Sequence, residues 1–402
     1  MSPPLSLSQS SFLLSSLLST PPHRQDQRPL LSARPFLLSP PSDDEDQEGE
    51  SRISIGQTSV SVRLTTSVLR SADYAEDTAE ESESSAADMA GGGSAGSVWS
   101  VDVRTSPGCE VPVLNGGNSS KTGCLELDAS LETLQHLVHS HLTAAFGRPE
   151  RLGQFIILPP SHPSSARPLR GATHWALGVD VLVHSMAGGN VYDAAWAALC
   201  AALWRVRLPR TKEIAYARAP GKGAGDGDAT MEEVGIASLK GKASASRAVD
   251  FELVDGSGRG VPLEGREDVG TGITLGMLPN GSHLLDPTLE EALCLPSSRQ
   301  LFLVASHAPP RILITHLLPS LLNLTAGEAS NSGGDNGDAA LRLPMPPTGA
   351  REGITWETGG WGSPSWSRVR EAIQVGAQMA TQLGGALRGE LEKEEREAEG
   401  RR

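Results

Sequence analysis

Residues 191-VYDAAWAALCAALWRVRLP-209 read as a helix that is apolar nearly all round, and that one segment constrains the fold more than any other. A helix with no polar stripe has to be covered on every side, so it belongs inside a layered core and not on a surface. Just before it, a Gly-Gly-Asn turn at 188–190 follows the short apolar run 179-VDVLVH-184. The local order is therefore strand, tight turn, buried helix.

Other candidate elements arrange themselves around that helix. Alternating apolar positions predict strands at 52-RISIG-56 and 59-SVSVRLTT-66, joined as a hairpin, and at 97-SVWSVDVR-104. A first helix is expected over 127–146, where Leu131, Leu134, Leu137, Val138 and Leu142 fall at helical spacing and Asp128 or Ser130 can cap the start. Short apolar runs follow at 155-FIIL-158, 273-ITLGML-278, 301-LFLVA-305 and 311-RILIT-315. A final helix carries Val369, Ile373, Gly376, Met379, Ala380, Leu383 and Leu387 on one stripe. Two rounds of strands followed by helices describe an α/β or α+β domain with helices against a mixed sheet.

The net charge of -14 at first argues against a nucleic-acid partner. Its location changes that conclusion. The runs 43-DDEDQEGE-50 and 71-SADYAEDTAEESESSAADMAGGGS-94 carry six and seven acidic groups and no Lys or Arg, which leaves the remainder near neutral. Together with Gly 44, Pro 28 and 4% aromatic residues, they mark insertions at about 72–95, 217–249 and 325–365. Cys109, Cys124, Cys200 and Cys294 form no CxxC pair and no zinc-site spacing, so unpaired thiols in a reducing compartment are expected. The start, 5-LSLSQSSFLLSSLL-18, lacks the basic stretch of a secretory signal and reads as a short amphipathic docking helix. No apolar run is long enough for a membrane span.

The segment 178-GVDVLVHSMAGGNVYDAAWAALCAALWRVRLP-209 resembles the signature of RNase PH-like proteins, and its GGN-x-YDA form resembles the exosome ring branch called ribosomal RNA-processing protein 42. Three further segments are similar in the same order: 24-RQDQRPLLSARPF-36, with Gln27 at the family's glycine, then 51-SRISIGQTSVSVRL-64 and 284-LLDPTLEEALCLPSSRQLFLVA-305. The resemblance implies one RNase PH-like domain of two βαβα halves (ribosomal protein S5 domain 2-like) over 24–390. An N-terminal extension at 1–23 would precede it and a solvated charged tail at 391–402 would follow.

Active members of that family are phosphorolytic and need arginines for an anion and carboxylates for a metal or proton. The resemblance places Ala187 where they carry an acid before Gly188 and Gly189, Ser130 and Leu131 where an Arg-Thr pair stands, and Gly108 where an arginine follows a proline. It therefore implies a non-catalytic subunit without cofactor or metal. Asp193, in the first turn of the buried helix, is read as structural, since a carboxylate there meets the helix dipole favourably. Asp180 is read as an edge carboxylate at a strand start, and Arg28 as a tie between the N-terminal segment and the sheet. His136, His139 and His141 do not share one helical face and read as surface histidines. The stretch 116-GGNSSKT-122 lacks the glycine a phosphate loop needs before its lysine.

As basic positions on family strands, Arg63 and Arg104 are the candidate RNA contacts. The implied partners are RNA, other RNase PH-like subunits in a hexameric ring, S1/KH cap subunits and an associated exoribonuclease. The implied locations are nucleus, nucleolus and cytoplasm. The alternatives are an active phosphate-dependent 3'-5' exoribonuclease, a ring subunit of the 43 or 45 branch, and a decayed homologue outside any ring.

Overall fold

The structure is a computed structural model that describes residues 6–40, 50–70, 98–110, 120–158, 172–215, 249–254, 260–295, 299–307, 309–318 and 365–400. The acidic runs, the three loose stretches and the start of 116–122 lie outside the described residues, apart from their end positions. In chain order the first part holds α1 (Leu7–Leu18), β1 (Phe36–Leu38), β2 (Glu50–Ile55), β3 (Thr58–Arg70), β4 (Trp99–Glu110) and α2 (Ser120–Phe146). Then come α3 (Pro149–Leu152), β5 (Ile156–Leu158), β6 (Thr173–Met186), α4 (Val191–Arg205), β7 (Arg207–Leu208), β8 (Thr211–Ala215) and β9 (Val249–Leu253). The rest is β10 (Val261–Pro262), β11 (Thr271–Met277), β12 (His283–Leu285), α5 (Leu289–Cys294), β13 (Gln300–Ser306), β14 (Arg311–Leu317) and α6 (Trp366–Gly400).

These elements build a mixed α/β fold. The larger sheet runs β1-β2-β3-β6-β4, with β5 also on β6; β4 pairs with β6 in parallel and the other pairs are antiparallel. The second sheet is antiparallel, in the order β12-β11-β13-β14. Helix α4 packs on β2 and β3 of one sheet and on β11 of the other. Its alanines at 194, 195, 198, 201 and 202 are buried and short enough for backbones to approach, while Trp196 fills the space beside Phe302. The apolar-all-round pattern thus has its cause in a helix enclosed between two sheets. Helix α6 covers β11 and β13, and α2 packs on β4.

Three sequence expectations need correction. Residues 391–400 are not a fully solvated tail: α6 continues to Gly400, Leu391 is buried, and Glu394 and Glu395 form ion pairs with arginines near the end of α4. His141 is buried, not superficial; its ring lies against Trp196 and Nε2 is 2.7 Å from the Val269 carbonyl. Asp180 lies neither at a strand start nor at a sheet edge, because β6 begins at Thr173 and has β3 on one side and β4 on the other. The N-terminal helix docks on its own chain. Its Ser6 capping box fixes the start, and Leu17 is buried with Leu278, Leu284 and Leu295.

Candidate functional site

Two clusters hold the sequence-predicted residues, one buried and one exposed. The buried cluster starts at the turn after β6. A Cβ on Gly188 would stand 2.9 Å from the backbone nitrogens of Gln57 and Thr58. Gly189 has φ +73, and a Cβ there would meet the Leu289 nitrogen at 2.5 Å. The paired glycines therefore seat this turn between the β2–β3 turn and the start of α5.

Asn190, at φ 56, precedes α4 and holds two carboxylates together. Its Nδ2 donates to Asp193 Oδ2 and to Asp286 Oδ1, each at 2.7 Å. Asp193 also accepts from the Thr274 backbone N at 2.9 Å and from Thr274 Oγ1 at 2.7 Å. Burial, followed by the neighbouring Asp286 carboxylate, pushes the Asp193 carboxyl up to about 7, against the pull of these donated bonds.

Asp286 is in turn the anchor for the N-terminal segment. It accepts from Arg34 Nη2 at 2.6 Å, Arg34 Nε at 2.9 Å and the Arg34 backbone N at 2.8 Å, and from Arg28 Nη1 at 3.2 Å. Arg28 further bonds Asp26 and the Ser32 carbonyl. Arg24, which sequence reasoning left unassigned, is the most enclosed of the three arginines. It forms a two-pronged pair with Glu291 at 2.7 and 3.0 Å and donates to the Leu285 and Asp286 carbonyls. Glu291 completes the capping box of α5 with Thr288. The signal for Arg24 was present in its place within 24-RQDQR-28, but its partner lies 267 residues away.

The positions matched to catalytic groups have other neighbours. Ala187 presents a half-buried methyl in the turn. Ser130 Oγ lies 3.1 Å from the Tyr192 hydroxyl, which donates to the Ser130 carbonyl; Leu131 is buried and Gly108 is exposed. A cavity of about 450 Å³, counted with its open mouth, adjoins the carboxylates and is lined by Ala33, Arg34, Asp193, Ile273, Asp286 and Leu383. Among the described residues no group of three or more His, Cys, Asp or Glu side chains is placed to hold a metal.

The exposed cluster lies on the outward face of the larger sheet. Arg63 on β3 and Asp102 on β4 are both register partners of Asp180 on β6. Arg104 pairs with Asp102 and stands 4.0 Å from Asp180. The fold thus brings Arg63, Asp180 and Arg104 to one face and leaves Arg28 and Asp193 in the buried cluster. Two arginines and two aspartates balance there, so this face carries alternating charge and not a cationic track.

No family model and no curated protein matches the chain. Solved structures similar in overall arrangement include a chain of the Archaeoglobus fulgidus exosome with RNA bound to the active site: 15% identity, 93% of this chain, 95% of that chain, TM-score 0.46. An archaeal exosome core chain is 14% identical over 94% of this chain and 96% of that one, with TM-score 0.42. Rice (Oryza sativa) Rrp46 is 14% identical over 92% of this chain and 100% of that one, with TM-score 0.40. Likenesses this distant transfer no residue roles.

Proposed function

We propose that this chain is a non-catalytic structural and RNA-path subunit of the RNA exosome core ring, of the ribosomal RNA-processing protein 42 branch. In that role it supports 3'-5' RNA processing and degradation, including rRNA maturation and mRNA turnover. It forms a wall of a hexameric ring with other RNase PH-like subunits, under S1/KH cap subunits, and RNA passes it toward an associated exoribonuclease. Nucleus, nucleolus and cytoplasm are the corresponding locations.

The observation that supports the non-catalytic reading is where the signature carboxylates are committed. Phosphorolysis requires cations that hold phosphate and an acid free to serve the leaving oxygen or a metal. Asp193 instead gives both oxygens to Thr274 and Asn190, and Asp286 gives both of its oxygens to the chain. Ala187 supplies a methyl where the resemblance calls for an acid, and Ser130 is tied to Tyr192. The buried cluster accordingly serves to fasten the N-terminal segment, α5 and the signature turn together.

Affinity purification of the tagged full chain, with mass spectrometry of its partners and a phosphorolysis assay on the isolated subunit, tests this reading. Ring and cap subunits are expected in the eluate, and no nucleoside diphosphate is expected from RNA with phosphate. Phosphate-dependent release of nucleoside diphosphate by the isolated chain, in the absence of those partners, would establish the exoribonuclease alternative.

A further inference from the structure

The end of α6 sits on a cluster of cations that no part of the proposed function uses. Arg205 Nη2 donates to Glu394 Oε1 at 2.7 Å. Glu395 is held from three sides: by Arg207 Nη2 at 2.5 Å, Arg266 Nη2 at 3.1 Å and Trp204 Nε1 at 3.2 Å. The Arg266 guanidinium lies over the Trp204 ring, 4.1 Å from its centroid, and Arg388 lies 5.6 Å from the same centroid. Arg210 and Lys212, exposed in the same stretch of chain, extend the positive character of this region. Burial alone would raise the Glu395 carboxyl, but the bond from Arg207 and the charge of Arg266 hold it below its ordinary value.

Two features of this contact differ from those of the buried cluster. Among the described side chains Leu391 is the last buried apolar one of α6, and the described contacts beyond it that fasten the helix end are these polar ones. Part-exposed ion pairs contribute little each, and a helix end held by such polar contacts opens more readily than a core segment. Arg205 and Arg266, in contrast, are fixed independently of the tail, while the described side-chain bond of Arg207 is to Glu395. Arg205 also donates to the carbonyls of Glu50 and Ser39 and to Ser51 Oγ, and Arg266 also donates to the Trp204 carbonyl. A preformed seat for two anions therefore persists when the helix end lifts.

We infer that the last turns of α6 are an internal competitor for RNA: Glu394 and Glu395 occupy seats on Arg205, Arg207 and Arg266 that take backbone phosphates of single-stranded RNA once the helix end is displaced. The inference rests on the RNA-path reading above and adds a regulated contact to it. Guanidinium forks accept phosphate in the same two-pronged way as carboxylate, and a protein surface that gains phosphates releases counterions from the RNA. The outward face of the larger sheet lacks this property, because its arginines and aspartates are matched on β strands that cannot leave.

The test is a titration of a fluorescent single-stranded oligouridylate with three forms of the full chain: wild type, Glu394→Gln/Glu395→Gln, and the same pair with Arg207→Gln added. The double variant is expected to bind on the order of tenfold tighter, with a salt dependence of log affinity steeper by about one to two. Arg207→Gln is expected to abolish most of that gain. Unchanged RNA affinity in the double variant would overturn the inference. So would capture of an acidic peptide of residues 388–402 by that variant with no gain for RNA, which would mark a peptide seat instead. Partner recovery by the same tagged variants reports the ring reading separately: subunits recovered without an RNA gain sink the inference alone, and an RNA gain without subunits sinks the ring assignment alone.

Discussion

The buried cluster around Asp286 and the exposed cluster around Asp180 use the same residue types to opposite ends. Arg24 and Glu291 have side chains that are 0% and 1% exposed, and Arg24 has its remaining donors on backbone carbonyls. Arg104 and Asp102 are 68% and 44% exposed, and water competes for every bond they make. Removing one partner from the first pair strands a charge in the interior, whereas removing one from the second returns the other to solvent. Arginine and aspartate in this chain are therefore informative about role only after burial is known. The buried set fixes architecture, and the exposed set faces solvent.

The largest test of that contrast is Arg24→Ala. It leaves the Glu291 carboxylate buried without its guanidinium, removes a donor from the Leu285 and Asp286 carbonyls, and cuts this tie between the N-terminal segment and α5. A loss of roughly 3–5 kcal/mol is expected in denaturant unfolding, or failure to accumulate as soluble protein. A loss below about 1 kcal/mol would mean that Arg28 and Arg34 hold the segment unaided, and the distinction between the clusters would collapse.

A smaller effect is expected from Asp193, whose environment is contested within itself. Its folded value of about 7 lies above the ordinary 3.8, so the folded chain keeps a proton that the unfolded chain has released. The stability contributed by this group is complete below about pH 4 and is lost as pH rises through about 7. Between pH 5.5 and 7.5 the wild type is expected to lose about 1–2 kcal/mol more than Asp193→Asn. The amide remains compatible with its neighbours, since its oxygen can accept from Asn190 and the Thr274 backbone while its NH₂ donates to Thr274 Oγ1. Parallel pH profiles for the two proteins would show that Asp193 is ionised throughout, and that the three donated bonds outweigh burial.

How far the sequence was legible follows from how local each signal is. The hairpin of β2 and β3, the apolar α4 and the stripe of α6 were readable because side-chain periodicity reports which faces are covered. The place of Asp180 was not, because 179-VDVLVH-184 shows only the most apolar part of β6 and hides the strand's true start at Thr173. The docking of residues 390–400 was equally hidden: a charged helix end looks solvated until the arginines that receive it, at 205, 207 and 266, are brought beside it by the fold. Within the buried cluster, Asp193 and Arg28 are positions the sequence singles out, but Asp286, Asn190 and Arg34 are not, since each acquires its meaning from a partner far away in sequence.

Gln27 shows where a departure from a family pattern becomes a measurable cost. The resemblance has glycine at this position, and the backbone explains the preference: Gln27 adopts φ 61 between Asp26 and Arg28, in the left-handed region that side chains disfavour. Its exposed side chain sits in the turn where the Gln27 nitrogen donates to the Arg24 carbonyl at 3.1 Å. Gln27→Gly is therefore expected to stabilise the chain by about 0.5–1 kcal/mol, the relief of left-handed strain less the extra freedom that glycine gives the unfolded chain. Equilibrium unfolding of the two proteins side by side measures it. A destabilisation would mean that restricting the unfolded segment outweighs the strain. In that case the turn between Arg24 and Arg28 would be held by the glutamine it has.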